Sequence, residues 1–183
     1  MKLDLSFWTN ASTRRKRIYS VIFFFVVAFA LTVIGSLVPI SHQAATQLVT
    51  PLNQTAQQNK NAGTLPKYIF LNNIQLCLIL FIPVIGPIYG VASFVYSGYI
   101  VGATGLLQGI PPIFYILVLP IFPFFWLEFI SYSLALSESV WLLRRLLQKR
   151  YRELKYTLIL IGVCAGLLAL GAVIESLLIS IGV

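Results

Sequence analysis

The chain is poor in the side chains that bind metal ions or take part in acid–base catalysis. Its 183 residues include one histidine, two cysteines and five acidic residues, and only one of the acidic residues is an aspartate, Asp4. His42 lies in a polar segment, and Cys77 and Cys164 lie in separate apolar segments, where small buried hydrophobes are expected. Zinc, copper and di-iron sites need clusters of such ligands. We therefore expect no metal, no cofactor and no catalytic site, and a protein that is not itself an enzyme.

Charge of either sign is also scarce. Only 10% of the residues are charged, against about 25% in soluble domains, while 58% are hydrophobic and the mean hydropathy is +0.89. Several apolar runs approach or exceed the roughly 20 residues that a helix needs to cross a bilayer. These features predict an all-α fold, a polytopic bundle of about five transmembrane helices.

The net charge of +8 does not indicate nucleic-acid binding, because the basic residues stand at the edges of apolar runs. Of the 13 lysines and arginines, 11 lie in residues 1–17 and 144–155. Such clusters are typical of cytoplasmic segments that contact anionic lipid. This pattern predicts a multi-pass protein of the cell membrane with a cytoplasmic N-terminus and an external C-terminus. The residues expected to face lipid headgroups are Arg14, Arg15, Lys16, Arg17, Arg144, Arg145, Lys149 and Arg150.

The order of apolar and polar stretches predicts the organisation of the chain. A basic tail (1–17) precedes a first span (18–38) and an external polar loop (39–66), which we expect to be exposed with a short helix near 44–49. Within that loop, Asn53-Gln54-Thr55 matches the glycosylation sequon, so Asn53 is a candidate acceptor. The remainder (67–183) is expected to form a helical membrane bundle with spans at 67–85, 88–107, 113–143 and 156–182, and a basic cytoplasmic amphipathic loop at 144–155.

The fourth predicted span is too long to be one straight helix. Its 31 residues would reach about 46 Å, whereas the hydrocarbon core is about 30 Å thick. Pro120 and Pro123 supply a break because proline removes helical hydrogen bonds. We expect a short broken or re-entrant segment over 113–122, followed by a helix over 124–143.

Polar residues of three predicted spans fall at one depth, near the external surface. Glu128 precedes Arg144 by 16 residues, about 24 Å of helix. Its candidate hydrogen-bond partners are Asn72, Asn73 and Gln75, with Glu175 either nearby or facing the surface. The favoured interpretation is that these groups hold helices together, and a proton or ion relay is the alternative. Because no lysine or arginine is predicted at that depth, Glu128 is expected to be protonated at neutral pH. Nearer the cytoplasmic side, Glu138 is expected to pair with Arg144 or Arg145.

Glycines recur at a spacing of four residues, which lets helix backbones approach closely. The pattern predicts helix-packing roles for Gly98 and Gly102 and for Gly162 and Gly166. It leaves open whether these faces meet another helix of the same chain or another subunit.

Three stretches together resemble the stage II sporulation protein M (SpoIIM) family of integral membrane proteins. They are IFLNNIQLCLILFIPVIGPIYG (69–90), SGYIVGA (97–103) and FPFFWLEFISYSLALSES (122–139), in a resemblance that covers about 70 residues. It implies a five- or six-span protein, and in sporulating bacteria the family works within an assembly that remodels peptidoglycan. The family usually has histidine at the position of Phe124 and asparagine at that of Ser97, so its carboxylate–histidine pair carries over as Glu128 alone. That departure favours a structural role.

These observations predict a non-catalytic accessory or scaffold subunit of a larger multisubunit membrane complex. Its partners would be the lipid bilayer and other membrane subunits, with a homo-oligomer left open. One alternative is a small transporter or channel-like permease that uses Glu128 and Asn72/Asn73, although the two halves show no internal repeat of the kind common in transporters. Another is a structural subunit of a membrane monooxygenase or respiratory-type enzyme complex.

Overall fold

A computed structural model of the chain describes residues 12–149 and 154–181. These residues are about 88% helical and contain no strand. Within these described residues, seven α-helices follow one another, and a 3-10 turn (Leu119–Ile121) joins the fifth to the sixth. The helices are α1 (Thr13–Ser36), α2 (His42–Asn61), α3 (Leu65–Leu80), α4 (Ile85–Leu107), α5 (Pro112–Val118), α6 (Pro123–Leu147) and α7 (Leu154–Ile181).

Three of these helices, α1, α4 and α7, are long and apolar enough to cross a membrane. A fourth span results if α5, the 3-10 turn and α6 are counted as one bent unit. The structure therefore has three to four candidate spans among the described residues, fewer than the five predicted. The difference lies at α3, whose 16 residues reach only about 24 Å, less than the thickness of a hydrocarbon core.

The prolines break the fourth predicted span as expected. The axis turns by 90° between the segment Pro112–Ile121 and the helix Pro123–Leu147. Phe122 has the extended backbone (φ −88°, ψ 132°) that a following proline favours, and Pro123 lies in the first turn of α6. The indole Nε1 of Trp126 donates a 2.8 Å hydrogen bond to the carbonyl of Pro120 and holds the corner. Glu128 consequently lies close to the start of α6.

The expected exposed loop over 39–66 is mostly a helix, and the short helix expected near 44–49 is part of the 20-residue α2. The hydroxyl of Ser41 accepts a hydrogen bond from the backbone N–H of Ala44, which caps α2. Ala45 and Val49 are buried and pack with Ala103 of α4. The apolar stripe of α2 is narrow, so the helical spacing of its buried residues is difficult to recognise among the polar residues around them. Asn53 is exposed on this helix.

The first residues of the predicted amphipathic loop over 144–155 belong to α6. α6 continues to Leu147, where Arg144 and Arg145 form part of its last turn, and α7 begins at Leu154. Residues 150–153, including Arg150, lie outside the described part of the chain. The backbone hydrogen bonds of α6 therefore continue past the apolar stretch, and Arg144 and Arg145 belong to this helix of the bundle.

The two predicted glycine pairs occupy different surroundings. A Cβ at Gly98 would overlap the carbonyl oxygen of Thr32, and one at Gly102 would overlap that of Ser36, so α4 lies directly against the backbone of α1. Gly162 and Gly166 on α7 are exposed, and a Cβ at either would meet no described atom within 4 Å. A packing role for this second pair is not found among the described residues.

Candidate functional site

Polar side chains gather at two levels of this apolar bundle. The first group, which we name the Glu128 cluster, comprises Asn73 of α3, Glu128 of α6 and Glu175 of α7. The second, the Glu138 cluster, comprises Arg17 of α1, Glu138 and Arg145 of α6, and Thr157 of α7. Glu128 and Glu138 are ten residues apart on α6, so the two levels are separated by about 15 Å.

In the Glu128 cluster, side chains of three helices come together. The amide Nδ2 of Asn73 donates a 2.5 Å hydrogen bond to Oε1 of Glu128. The carboxyl group of Glu175 is a close neighbour of the Glu128 carboxyl group. The arrangement brings α3, α6 and α7 together at one level and places two carboxyl groups side by side.

Gly171 allows α7 to come close to α6 at this level. A Cβ added to Gly171 would lie 3.6 Å from Cβ of Leu127 and 3.9 Å from Cγ of Glu128, so little space remains between the helices. One turn further along α7, Glu175 then reaches the Glu128 carboxyl group. The position of Glu175 next to Glu128, rather than facing away from it, follows from this close packing.

The Glu128 cluster borders a cavity of about 350 Å³ at the bend between α5 and α6. Glu175 contributes the carboxyl group in a wall that is otherwise aromatic and aliphatic. Phe124 also lines the cavity, so an aromatic ring and the Glu175 carboxyl group share its wall. The other lining residues are Ile110, Phe114, Tyr115, Val118, Leu119, Phe122, Leu178 and Ile179.

The structure corrects the predicted partners of Glu128 on α3. Asn73 is its partner, whereas Asn72 and Gln75 are exposed on the outside of the bundle. Successive residues on a helix point about 100° apart, so Asn72 and Asn73 cannot both face the same carboxyl group. Among the described residues, neither Asn72 nor Gln75 has a side-chain hydrogen-bond partner.

In the Glu138 cluster, the carboxylate of Glu138 is bound by three side chains. Arg145 donates from its two terminal nitrogens, at 2.5 Å to Oε1 and 3.4 Å to Oε2. Thr157 donates to Oε1 at 2.7 Å, and Arg17 Nη1 lies 3.6 Å from Oε2. Glu138 is 2% exposed and Arg145 is 3% exposed. The prediction that Arg145 faces lipid is therefore wrong, because its guanidinium turns inward to neutralise Glu138.

Trp141 extends this cluster toward the end of the bundle where α1 begins. The guanidinium carbons of Arg17 and Arg144 lie 5.3 Å and 5.6 Å from the centre of its ring. Its Nε1 donates a 3.2 Å hydrogen bond to the hydroxyl of Ser20, which is 2.6 Å from that of Ser137. Trp141 was not among the predicted site residues, although a tryptophan next to a basic cluster is itself a sign of a membrane interface. Arg14, Arg15 and Lys149 are exposed as expected.

The two cysteines meet inside the bundle. The thiols of Cys77 on α3 and Cys164 on α7 both approach the backbone carbonyl of Ser131, at 3.9 Å and 3.5 Å, and both residues are 0% exposed. Their burial agrees with the expectation, whereas their proximity could not be read from two separate segments. Among the described residues, no group of three or more His, Cys, Asp or Glu side chains is placed to bind a metal ion.

Comparison with known proteins gives no relative for this chain: no family model matches it, and no curated protein or solved structure is detectably similar to it.

Proposed function

We propose that this protein is an accessory subunit of a membrane complex and binds another subunit through the outer face of α3. The observation that carries the proposal is the outward position of Asn72 and Gln75. These two amides are three residues apart and lie beside the exposed side chains of Leu71 and Leu78. An amide without a partner in hydrocarbon costs several kcal/mol, roughly 2–7 depending on the reference state.

A second helix that carries an amide or hydroxyl group would remove that cost. Side-chain hydrogen bonds between transmembrane helices contribute about 0.6–2 kcal/mol each. The occupant that fits this face is therefore an apolar helix of another membrane subunit with a polar side chain at the matching depth. The resemblance to the SpoIIM family supports the same assignment, since its sporulation members work within an assembly.

The buried polar groups favour the same function. Glu128 is hydrogen-bonded to Asn73 of α3, and the carboxylate of Glu138 is hydrogen-bonded to Thr157 of α7. Such bonds stabilise a bundle and provide no evident reaction centre. The amides on α3 differ from them because they point away from every helix of the described chain. An interaction function is the simplest one that uses them.

Extraction from native membranes in a mild detergent, followed by size separation and mass spectrometry, tests the proposal. We expect the chain to migrate with a defined partner in fixed ratio. Replacing both amides (Asn72→Leu with Gln75→Leu) should release that partner, while Leu78→Ala, which removes apolar area from the same face, should weaken it much less. Wild-type protein that migrates alone, or only with copies of itself, would contradict the proposal.

A second candidate function is proton handling at the Glu128 cluster. The observation that favours it is the pair of neighbouring carboxyl groups, Glu128 and Glu175, beside a cavity of about 350 Å³. Purified protein in liposomes with an internal pH indicator tests this candidate. Proton flux that Glu128→Gln abolishes and Asn72→Leu leaves unchanged would support it, and wild-type liposomes that are no leakier than protein-free ones would exclude it.

A further inference from the structure

Two pockets at the end of the bundle where α1 begins share a common wall. One, the basic pocket, has a volume of about 200 Å³ and is lined by residues of α1, α6 and the turn after α6. The other, the apolar groove, has a volume of about 280 Å³ and is lined by residues of α1, α6 and α7. Arg17 and Trp141 line both of them. The two pockets therefore adjoin, with one polar half and one apolar half.

The basic pocket has the charge and the donors that an anion needs. Four of its lining residues are cationic, and Glu138 forms ion pairs with two of them, Arg17 and Arg145. Arg17 and Arg144 are held against Trp141, so their guanidinium groups are positioned before any ligand arrives. Guanidinium groups bind phosphate oxygens in a bidentate manner. The lining residues are Thr13, Lys16, Arg17, Trp141, Arg144, Arg145 and Gln148.

The apolar groove runs from this pocket toward the middle of the bundle. On α6 it extends from Trp141 to Leu134, seven residues or about 10 Å along the helix axis. Ile18 and Ile22 of α1 form the facing wall and are 52% and 54% exposed, so the groove is open on its lipid side. Its shape and chemistry suit an extended hydrocarbon chain.

We infer that this composite site binds one anionic phospholipid, with the headgroup phosphate in the basic pocket and an acyl chain in the apolar groove. A free phosphate or a soluble phosphate ester would use only the basic pocket. A zwitterionic lipid would bring its own positive group into a pocket whose four cationic side chains outnumber the one described carboxylate that pairs with them. The adjoining apolar half and the excess of positive charge together select an anionic lipid.

Affinity measurements on the purified full chain in a neutral detergent test this inference. Native mass spectrometry gives the dissociation constant for phosphatidylglycerol, with phosphatidylcholine and glycerol phosphate as comparison ligands. Arg144→Gln should weaken phosphatidylglycerol binding about fivefold, the effect of one basic side chain near an anionic lipid. Arg15→Gln is the matched control, because it removes the same charge from an exposed position of α1 that does not line the basic pocket.

A second variant tests the apolar half. Ile22→Trp should fill the groove and weaken phosphatidylglycerol binding while leaving the weak binding of glycerol phosphate unchanged. Equal losses from Arg144→Gln and Arg15→Gln would mean that diffuse surface charge attracts the lipid, and would overturn the site. Glycerol phosphate that competes as well as the lipid, or phosphatidylcholine that binds as tightly, would overturn the choice of ligand.

Discussion

Glu138 and Arg145 lie seven residues apart on α6, and their side chains close that distance to form a buried ion pair. Seven residues correspond to about 10 Å along the axis, so both side chains extend toward each other along the helix. Both terminal nitrogens of Arg145 bind the carboxylate, and Thr157 of α7 binds both partners. The pair therefore fixes α7 against α6 in one register.

Breaking this ion pair by removing one partner should destabilise the bundle strongly. Glu138→Ala leaves the buried Arg145 without its carboxylate, and such changes cost about 3–5 kcal/mol. The double variant Glu138→Leu with Arg145→Met leaves no buried charge in that pair and should lose much less. Equilibrium unfolding in mixed detergent micelles, followed by circular dichroism, gives both values. A loss below about 1 kcal/mol for Glu138→Ala would contradict the described burial of the pair.

Replacing glycine by alanine adds one methyl group, and this change should have opposite effects on stability at Gly98 and at Gly162. Gly98→Ala forces the backbones of α1 and α4 apart, and overpacking of this kind costs about 1–3 kcal/mol. Gly162→Ala is the matched control, since its Cβ meets no described atom and alanine favours a helix by about 0.5–1 kcal/mol. The same unfolding measurement applies. Equal effects of the two substitutions would show that α1 and α4 are not in direct backbone contact.

At Glu128, shape and hydrogen bonding should matter more than charge for stability. Glu128→Gln keeps an oxygen that accepts from Asn73 and gains an amide that can donate to Glu175, so we expect a change within about 1 kcal/mol. Glu128→Leu leaves the Asn73 amide without its hydrogen-bond acceptor and should cost about 1–3 kcal/mol. If Gln proves as damaging as Leu in equilibrium unfolding, the carboxyl group itself is needed to hold the three helices.

The burial of the two cysteines predicts their reactivity. Both are 0% exposed, so a water-soluble maleimide should label neither Cys77 nor Cys164 in the folded protein. Unfolding in sodium dodecyl sulfate should expose both, and mass spectrometry should then count two labels. Labelling of a single cysteine before unfolding would show that α3 and α7 separate at that level. A variant with cysteine in place of the exposed Ser180 provides the positive control.

Depth along the helices could be predicted from the sequence, whereas the direction of each side chain could not. Counting 1.5 Å per residue placed Glu128, Asn73 and Glu175 at one level, where the structure has them. The same count could not separate Asn73 from Asn72, or Arg145 from Arg144. A helix that is apolar on every side has no polar stripe to distinguish its exposed face from its buried face. Which of its side chains are buried then depends on the neighbouring helices.

The other correct and incorrect predictions are explained by the effect of proline on the backbone and by the hydrophobic periodicity of each segment. The break near Phe122 was predictable because Pro120 and Pro123 restrict the local backbone in any context. α2 was not, because its two buried residues, Ala45 and Val49, are small and stand among polar residues. The shortness of α3 was also hidden, since the apolar run continues beyond Leu80 into a turn at which Val84 has a positive φ of 67°. The apolar run at this point is therefore longer than the helix that it contains.

The right-angle corner before α6 has a consequence for the bilayer. In a membrane that α6 crosses, the 7 residues of α5 and the 3 of the 3-10 turn run sideways and add no depth. They displace lipid over roughly 15 Å within a single leaflet. The corner therefore adds breadth to that side of the bundle, where a straight helix would have added height.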